Sequence, residues 1–390
     1  MRRNRQKEQE KEIKLVMAMM LATLALLSLV PRVKAEPTGQ AGNFLGLGIG
    51  ARALALGNAY TAVGDDPTAS LWNPAGLSLL THREMESMHT FLDLERDLNH
   101  FGFGLPLNET STIGFNWSQY RIGSIPETSL DTSTQIGVDD NGDPIYDVKI
   151  TGYFDDREDC LGVSYAYNLG NNLALGSTLK FFRNTVGNDS ASALGVDLGF
   201  MFFPTNRFTL GLALRDLGEN YSWNGFKGKD QKVPSTTALG LSFRPVSSLL
   251  LSGDVSKIQN RDVDFGAGAE YSFGETFQLR GGVLNGLVTA GLGLRISDWN
   301  IDYAYANRQV GVEHRLSSNY RFGLPVRKLQ KGQASERGLK PYLEAEKEKQ
   351  SQSPKPKNPL FAKIRTIGSE AASVFGRKAK QGLKRIVPAN

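Results

Sequence analysis

The chain has 390 residues, a net charge of +5, 42 glycines and one cysteine, Cys160. One thiol cannot form a disulfide within the chain, and Cys160 lies in no metal-ligand motif, so the cysteine count excludes a disulfide scaffold and argues against redox chemistry. The charge is uneven. Residues 1–35 carry 8 basic and 3 acidic residues, residues 327–390 carry 16 and 5, and the remainder carries 21 and 32. The basic character therefore belongs to the two ends and does not indicate a nucleic-acid-binding core.

The N-terminus has the order of a secretory signal peptide. Residues 1–14 are basic overall, Leu15 to Val30 are all apolar or small, and Val33 and Ala35 offer small side chains for cleavage before Glu36. We predict a signal peptide over 1–35. The alternative is an uncleaved anchor, although this apolar run is shorter than the roughly 20 residues of a membrane-spanning helix.

The next segment, 36–82, differs from the rest of the chain. Glycines at 46, 48 and 50 precede an alanine- and leucine-rich run, Ala51 to Ala62, that is compatible with a helix, and a turn is expected at 64–67. Asn73-Pro74 should end any helix, because the residue before proline avoids the helical region. Gly76 should permit a backbone turn that other residues resist. We expect this segment to plug a barrel; a short periplasmic linker is the alternative.

From about Arg83 to Val326, apolar and polar residues alternate in segments of about ten residues separated by turn residues, which predicts β-strands. In the segment 236–243, for example, the two faces are Leu239, Leu241 and Phe243 on one side, and Ala238, Gly240 and Ser242 on the other. Fourteen segments are predicted, an even number as in single-chain bacterial barrels, with 12 or 16 as alternatives. They are 84–93, 97–106, 109–121, 157–168, 172–185, 190–203, 207–217, 234–244, 246–257, 262–273, 276–284, 287–297, 299–306 and 313–324.

Three features favour lipid over water as the solvent of these strands. Aromatic residues gather near strand ends, as membrane-interface girdles require; they are Trp117, Tyr120, Tyr165, Tyr167, Phe202, Phe203, Trp299, Tyr320 and Phe322. The less apolar face is rich in Gly, Ala, Ser and charge, which would suit a lumen, and the chain carries an export signal. We therefore predict an all-β fold, a transmembrane antiparallel β-barrel of about 14 strands over 83–326, with a secreted all-β protein as the alternative. The insertions 122–156 and 217–233 are predicted to be outer loops.

Beyond Val326 the strand pattern stops. Residues 327–359 have a disordered composition, and 360–386 place apolar residues at helical spacing among Lys and Arg. We predict a basic, largely disordered periplasmic tail over 327–390, in which 360–386 could form an amphipathic helix that binds an anionic surface or a partner.

No catalytic motif stands out. The glycines at 46–50 lack the preceding strand that a dinucleotide site needs. Asp139 begins a run like a calcium loop, but Pro144 and Ile150 occupy the positions of its Gly and Glu, so an exposed turn is favoured over weak calcium binding. The four histidines, His82, His89, His100 and His314, show no metal-binding spacing. We predict that the chain is not an enzyme and has no cofactor and no metal.

The run from Gly50 to Leu77 resembles the N-terminal signature of the PorV/PorQ family of outer-membrane barrels, which are similar to the long-chain fatty-acid transporter FadL. The resemblance implies a 14-stranded barrel closed by an N-terminal hatch. It places Asp65 and Asp66 in the hatch motif and Asn73, Pro74, Ala75 and Gly76 in the family's NPAG element, where they shape the hatch rather than touch a solute. The chain departs from the family in its basic tail, so 319–324 would serve internally as the assembly signal.

Three functions are hypotheses for a protein of the bacterial outer membrane, whose partners include its lipid and no nucleic acid. The favoured one is passive transport of hydrophobic small molecules, which predicts an apolar pocket beneath the hatch and a lateral opening where a strand kinks. The second is a PorV-like accessory role in protein secretion (type IX-like), in which the loops bind exported proteins or secretion components. The third is a structural envelope barrel tethered by its basic tail.

Overall fold

The computed structural model describes residues 43–93, 95–170, 172–218, 220–224, 231–308 and 311–326. The predicted signal peptide over 1–35, the first residues of the predicted plug, and the tail 327–390 with its amphipathic helix 360–386 lie outside the described residues. Within them, no helix is both long and apolar enough to cross a membrane.

Fourteen antiparallel strands form a closed barrel, which confirms the predicted fold class. The sheet order is β5-β4-β3-β2-β1-β16-β15-β14-β13-β12-β11-β10-β7-β6, and pairing of β5 with β6 closes the ring. The wall strands are β1 Arg83–Leu92, β2 Arg96–Pro106, β3 Ser111–Val138, β4 Pro144–Leu169, β5 Leu173–Val186, β6 Asp189–Phe202, β7 Phe208–Gly218, β10 Thr236–Val246, β11 Leu249–Ile258, β12 Val263–Phe273, β13 Phe277–Leu284, β14 Leu287–Ile296, β15 Trp299–Arg308 and β16 Gly311–Phe322. Two short strands, β8 Asn220–Asn224 and β9 Gln231–Lys232, are not members of the ring: β8 pairs with the first residues of β6, and β9 pairs with β8.

The wall is apolar outside and polar inside, the reverse of a water-soluble protein. In β10 the outward Leu239 and Leu241 are 58% and 44% exposed, whereas the inward Ala238 and Ser242 are buried. The same alternation recurs around the ring because successive side chains of a strand point to opposite faces. Buried inward residues include charged ones on many strands: Glu84, Glu86, Lys180, Asp197, Asp254, Glu270, Arg280, Asp302, Glu313 and Arg315.

The two ends of the barrel differ. We call the end where β1 begins and β16 ends the terminal end, and the opposite one the hairpin end. At the hairpin end, β3 and β4 continue far beyond the wall and pair with each other almost to their joining turn. The prediction of a loop over 122–156 was therefore wrong: this insertion is a β-hairpin, in keeping with its many β-branched residues. We call residues 125–154 the projecting hairpin.

Residues 43–82, which we call the inner segment, are almost entirely buried and pack against the inward face of the wall. Their helices are short: 3₁₀ helices Asn43–Leu47 and Pro74–Leu79, and α-helices Ala51–Ala55 and Ala69–Trp72. The helix expected over Ala51 to Ala62 ends early because Gly57 and Asn58 take positive φ angles of 64° and 59°. Their N–H groups bond back to Leu54 and Ala53, which closes the helix end.

The small inward residues allow the wall to contact the inner segment and do not line an open lumen, which corrects our interpretation of that face. At many inward glycines, a Cβ would lie within 3.0 Å of the inner segment. These glycines are Gly104, Gly114, Gly176, Gly199, Gly211, Gly240, Gly266, Gly268, Gly282 and Gly291. The wall therefore lies so close to the inner segment that only glycine, which has no side chain, fits at these positions.

Two residues that we assigned to the aromatic girdle point inward instead. Phe203 is 5% exposed, and the ring of Tyr120 stacks on that of Phe44 in the inner segment, with ring centroids 6.1 Å apart. By contrast, Trp299 lies outside, 48% exposed, and stacks on Tyr320 with centroids 4.5 Å apart. The sequence therefore indicated that aromatic residues gather near strand ends, but it did not show which face of the wall each of them occupies.

Candidate functional site

Asn73 ties the inner segment to itself and to the wall. Its Nδ2 donates to the carbonyl oxygens of Thr61 (2.8 Å) and of Phe200 on β6 (3.1 Å), and its Oδ1 accepts from the N–H of Ala75 (3.2 Å). The residue is fully buried and its backbone is extended, at φ −156° and ψ 100°. The helix Ala69–Trp72 ends just before it, as the following proline requires.

The other residues of the NPAG element are also buried and close to backbone. Pro74 begins a 3₁₀ helix, and its carbonyl group lies where a Cβ on Gly176 of β5 would be. Ala75 is fully buried. Gly76 does not have a positive φ, so our expectation that it permits a special turn was wrong. Glycine is needed because a Cβ at this position would overlap the carbonyl oxygen of Gly64.

Asp65 and Asp66 bind different partners within the inner segment. Asp65 accepts a hydrogen bond from Arg52 at 2.7 Å and forms a buried ion pair with it. Asp66 accepts from the phenol of Tyr60 and from the hydroxyl of Thr68, and also from the Thr68 N–H at 3.0 Å. The two carboxylates therefore hold the turn at 64–67 against the preceding helix.

A buried ion network, which sequence reasoning missed, connects this turn to the wall. Arg52 donates from Nε and Nη2 to the carboxylate of Glu270 on β12, at 2.6 and 3.0 Å. Glu270 also accepts from Arg280 on β13 at 2.7 Å, and Arg280 donates to Asp302 on β15 at 2.5 Å. All these side chains are less than one tenth exposed. The chain of charges runs from Asp65 in the inner segment across four strands of the wall.

Two wall arginines hold the first part of the inner segment by its carbonyl groups. Arg308 and Arg315 both donate to the carbonyl oxygen of Leu47, at 3.2 and 3.3 Å, and Arg315 donates to that of Gly50 at 3.3 Å. Glu313 accepts from both arginines and so orients them. The Leu47 carbonyl thus gains partners from the wall, and that of Gly50 gains a second partner besides the N–H of Leu54.

Uncharged and acidic wall side chains bond the inner backbone as well. Asp254 on β11 accepts from the N–H groups of Tyr60 and Thr61, at 3.0 and 2.8 Å. Ser317 on β16 accepts from the N–H of Ala51 at 2.8 Å. The polar inward face therefore replaces the hydrogen bonds that the irregular inner segment cannot make with itself.

A cavity of about 660 Å³ lies at the hairpin end, with the inner segment as its floor. Its apolar lining residues are Phe44, Leu45, Leu47, Ile49, Leu71 and Trp72 from the inner segment, and Leu92, Tyr120, Ile122, Pro234, Ile258, Leu284, Leu287 and Val312 from the rest of the barrel. Its charged ones are Arg96, Asp156, Glu158, Lys180, Arg215, Asp216, Asp254, Arg261, Asp264, Arg308 and Glu313. We expected an apolar pocket beneath the hatch. This cavity lies on the hairpin-end side of the inner segment, which lines it mainly with apolar side chains, and its walls carry both apolar and charged side chains.

A second buried ion cluster borders the cavity. Lys180 on β5 lies 2.7 Å from the carboxylates of both Asp197 on β6 and Asp216 on β7. Here β7 bulges, because Asp197 faces two residues, Arg215 and Asp216, and Asp216 has a φ of 58°. Pairs of β6 and β7 resume on both sides of the bulge. The described wall is therefore continuous at this kink, where an opening could have been expected.

The remaining candidates from the sequence lie apart. His82, His89 and His314 are at or near the ends of strands, and His100 is buried and bonds Ser118 at 2.9 Å. Asp139 closes the turn at the tip of the projecting hairpin by accepting from the N–H groups at 141 and 143. Across the described ranges, no group of three or more His, Cys, Asp or Glu side chains is arranged to hold a metal.

Comparison with solved structures finds channels of the same architecture. The "TodX deltaS2S3 mutant monoaromatic hydrocarbon channel" is 13% identical, with 70% of this chain and 99% of that chain covered and a TM-score of 0.53. The "CymD monoaromatic hydrocarbon channel" is 12% identical, covering 71% and 98%, with a TM-score of 0.50. A Pseudomonas aeruginosa FadL homologue is 14% identical, covering 74% and 99%, with a TM-score of 0.47.

No family model and no curated protein matches the sequence. At these identities, the TodX and CymD likenesses show the fold alone: the chain has the barrel architecture of these two channels. Membership of the PorV/PorQ family stays a prediction.

Proposed function

We propose that the chain is a bacterial outer-membrane barrel that carries hydrophobic small molecules passively. The observation that carries this proposal is the combination of an inside-out wall with an apolar-floored cavity at one end. An apolar outer band with a polar interior is the arrangement that a closed sheet needs in hydrocarbon. The solved channels of like fold are named for monoaromatic hydrocarbons, which supports this class of solute.

The orientation is inferred from the connections. Outer-membrane barrels have short periplasmic turns and longer outer connections, so the hairpin end faces outward and the cavity is open to arriving solute. The inner segment lies between the cavity and the terminal end. A solute that crosses to the periplasm then needs this segment to move, and we propose that residues 36–82 are the hatch, with Asp65, Asp66 and the residues Asn73 to Gly76 keeping its shape.

Filling the cavity tests the proposal. Ser256 on β11 lines the cavity, whereas its neighbour Val255 faces outward and is 43% exposed. We expect Ser256→Trp to slow uptake of radiolabelled toluene by intact Gram-negative cells that express the chain, and Val255→Trp to leave uptake unchanged. Equal uptake by cells with and without the chain, or equal effects of the two variants, would reject the cavity as the entry site.

A second function, a PorV-like role in protein secretion, is supported by one feature that a solute channel does not need. This feature is the projecting hairpin, which extends the barrel by two long strands. After chemical crosslinking in the native host, an exported protein or secretion component should co-purify with the tagged chain. The association should be lost when residues 125–154 are replaced by an Asn-Gly turn. Purification without any exported protein contradicts this function and leaves the transport proposal untouched.

A further inference from the structure

The projecting hairpin has two unpaired edges. Ile122 and Asp156 are the last residues at which β3 and β4 pair with the wall strands β2 and β5. Over residues 125–154 the two strands pair with each other, and the described part of the chain offers neither of them another neighbour. An unpaired edge presents free N–H and C=O groups to any strand that approaches it.

The two faces of the hairpin differ in chemistry. Leu130 pairs with Val148, and Ile150 lies two residues further along β4, so these three side chains share one face. They are 66%, 56% and 52% exposed. The opposite face carries Asp131 directly across from Asp147. Such a two-stranded ribbon, with its apolar face uncovered, is only marginally stable alone in water.

The charge of the hairpin indicates what could cover it. Residues 125–154 contain six acidic residues and one basic residue, a net charge of −5. Like charges directly opposite each other, as at Asp131 and Asp147, destabilise a strand pair. The one basic residue, Lys149, lies on the same face and offsets only part of the charge. This charge repels a second copy of the hairpin and the anionic headgroups of outer-membrane lipid. It attracts a partner that brings basic side chains to the acidic face.

The β3 edge is the less regular of the two. In β3 a bulge between Asp131 and Gln135 leaves three residues without a partner, and bulges of this kind protect an edge from pairing. In β4 the residues from Asp147 to Ile150 pair in unbroken register, and a single extra residue, Thr151, follows them. The N–H of Val148 bonds the Asp147 carboxylate at 2.8 Å, so an added strand has to replace this bond.

We infer that the β4 edge of the hairpin, residues 146–150, accepts an extended segment of another protein as an added strand, and that apolar and basic residues alternate in this segment. Alternation places every second side chain on each face of the enlarged sheet. The apolar residues then cover the face of Leu130, Val148 and Ile150, and the basic ones approach Asp131 and Asp147. This interaction is independent of the proposed transport, because the hairpin lies beyond the cavity and the wall.

Synthetic peptides test the inference on the purified full chain in uncharged detergent. The probe is a fluorescent peptide of alternating lysine and valine, and its binding is measured by fluorescence anisotropy. There are three comparison peptides. In the first, glutamate and valine alternate, and in the second the same lysines and valines are arranged in two blocks. The third carries N-methyl groups along one edge. We expect binding of the alternating lysine–valine peptide and of none of the others. The double variant D131N/D147N should weaken it by about tenfold or more.

A matched control lies at the tip of the same hairpin. The double variant D139N/D140N removes the same charge outside the 146–150 edge and should leave binding unchanged. Equal binding of the block or N-methylated peptide would overturn the inference in favour of general attraction to an acidic surface, and so would an equal loss in D139N/D140N. Binding that persists after 125–154 is replaced by an Asn-Gly turn would place the site elsewhere. Tighter binding to vesicles of anionic lipopolysaccharide than to the peptide would identify a lipid contact instead.

Discussion

Replacing Arg52 with methionine should loosen the inner segment without opening the wall. Methionine keeps the unbranched apolar part of the side chain but removes the four hydrogen bonds to Glu270, Asp65 and Tyr60. The carboxylates of Glu270 and Asp65 are then left with one cation fewer in a buried site. Removing one partner of a buried ion pair costs about 3–5 kcal/mol. Since Glu270 keeps Arg280, we expect about 3 kcal/mol, which raises the open population of the inner segment about a hundredfold.

Cys160 provides the assay, because it is the only cysteine in the sequence and is fully buried in the hydrophobic cluster to which Phe44 and Ile49 of the inner segment belong. A maleimide should label it only when the inner segment moves away. We expect the labelling rate in Arg52→Met to rise about a hundredfold, in proportion to the open population, while the folded barrel still migrates as a heat-modifiable band.

Arg121 is the control, since its ion pair with Asp155 is 2.9 Å long but nearly half exposed. Exposed pairs contribute about 0–1 kcal/mol, so Arg121→Met should label like the unaltered chain. Labelling of Arg52→Met at the unaltered rate, with the barrel intact, would refute the role of the ion network. If that variant fails to fold, Arg52→Lys keeps the charge but not the paired hydrogen bonds, and should label at an intermediate rate.

Three further outcomes are expected. Asn73→Ala removes two donated bonds and one accepted bond and should lower the free energy of unfolding of the inner segment by about 1–3 kcal/mol, measured by hydrogen exchange. Gly282→Val should expose the inner segment to protease, because a Cβ there meets the backbone at 56–57. At Gly281 nothing lies within 4 Å of a Cβ, so Gly281→Val should leave protease sensitivity unchanged. Leu239→Arg should disfavour folding into lipid vesicles by about 2–4 kcal/mol, compared with no cost for Val148→Arg on the projecting hairpin.

The sequence pattern predicts the strands of the wall better than the contacts of the inner segment inside it. Period-2 alternation located all fourteen wall strands within a few residues, except where β3 and β4 continue into the hairpin. Alternation depends only on neighbours along the chain. The sequence therefore sufficed to place Leu239 and Leu241 on the same face of their strand. The inward or outward position of Phe203 and Tyr120 depends on register near strand ends, which composition does not determine.

The contents of the barrel depend on contacts between distant residues. Arg52 and Glu270 are 218 positions apart, so no local pattern pairs them. The NPAG element was visible as a motif, and Pro74 explained where the helix ends. The reason for Gly76 was not visible, because its neighbour Gly64 approaches only in the folded chain. The cavity likewise forms only when strands from around the ring and the inner segment are brought together.

The row of inward glycines has a consequence for assembly. Backbone lies against backbone around much of the circumference. Because residues 43–82 precede every wall strand in the chain, we expect the wall to close around a segment that is already in place. A chain lacking this segment should then form barrels of more than one size.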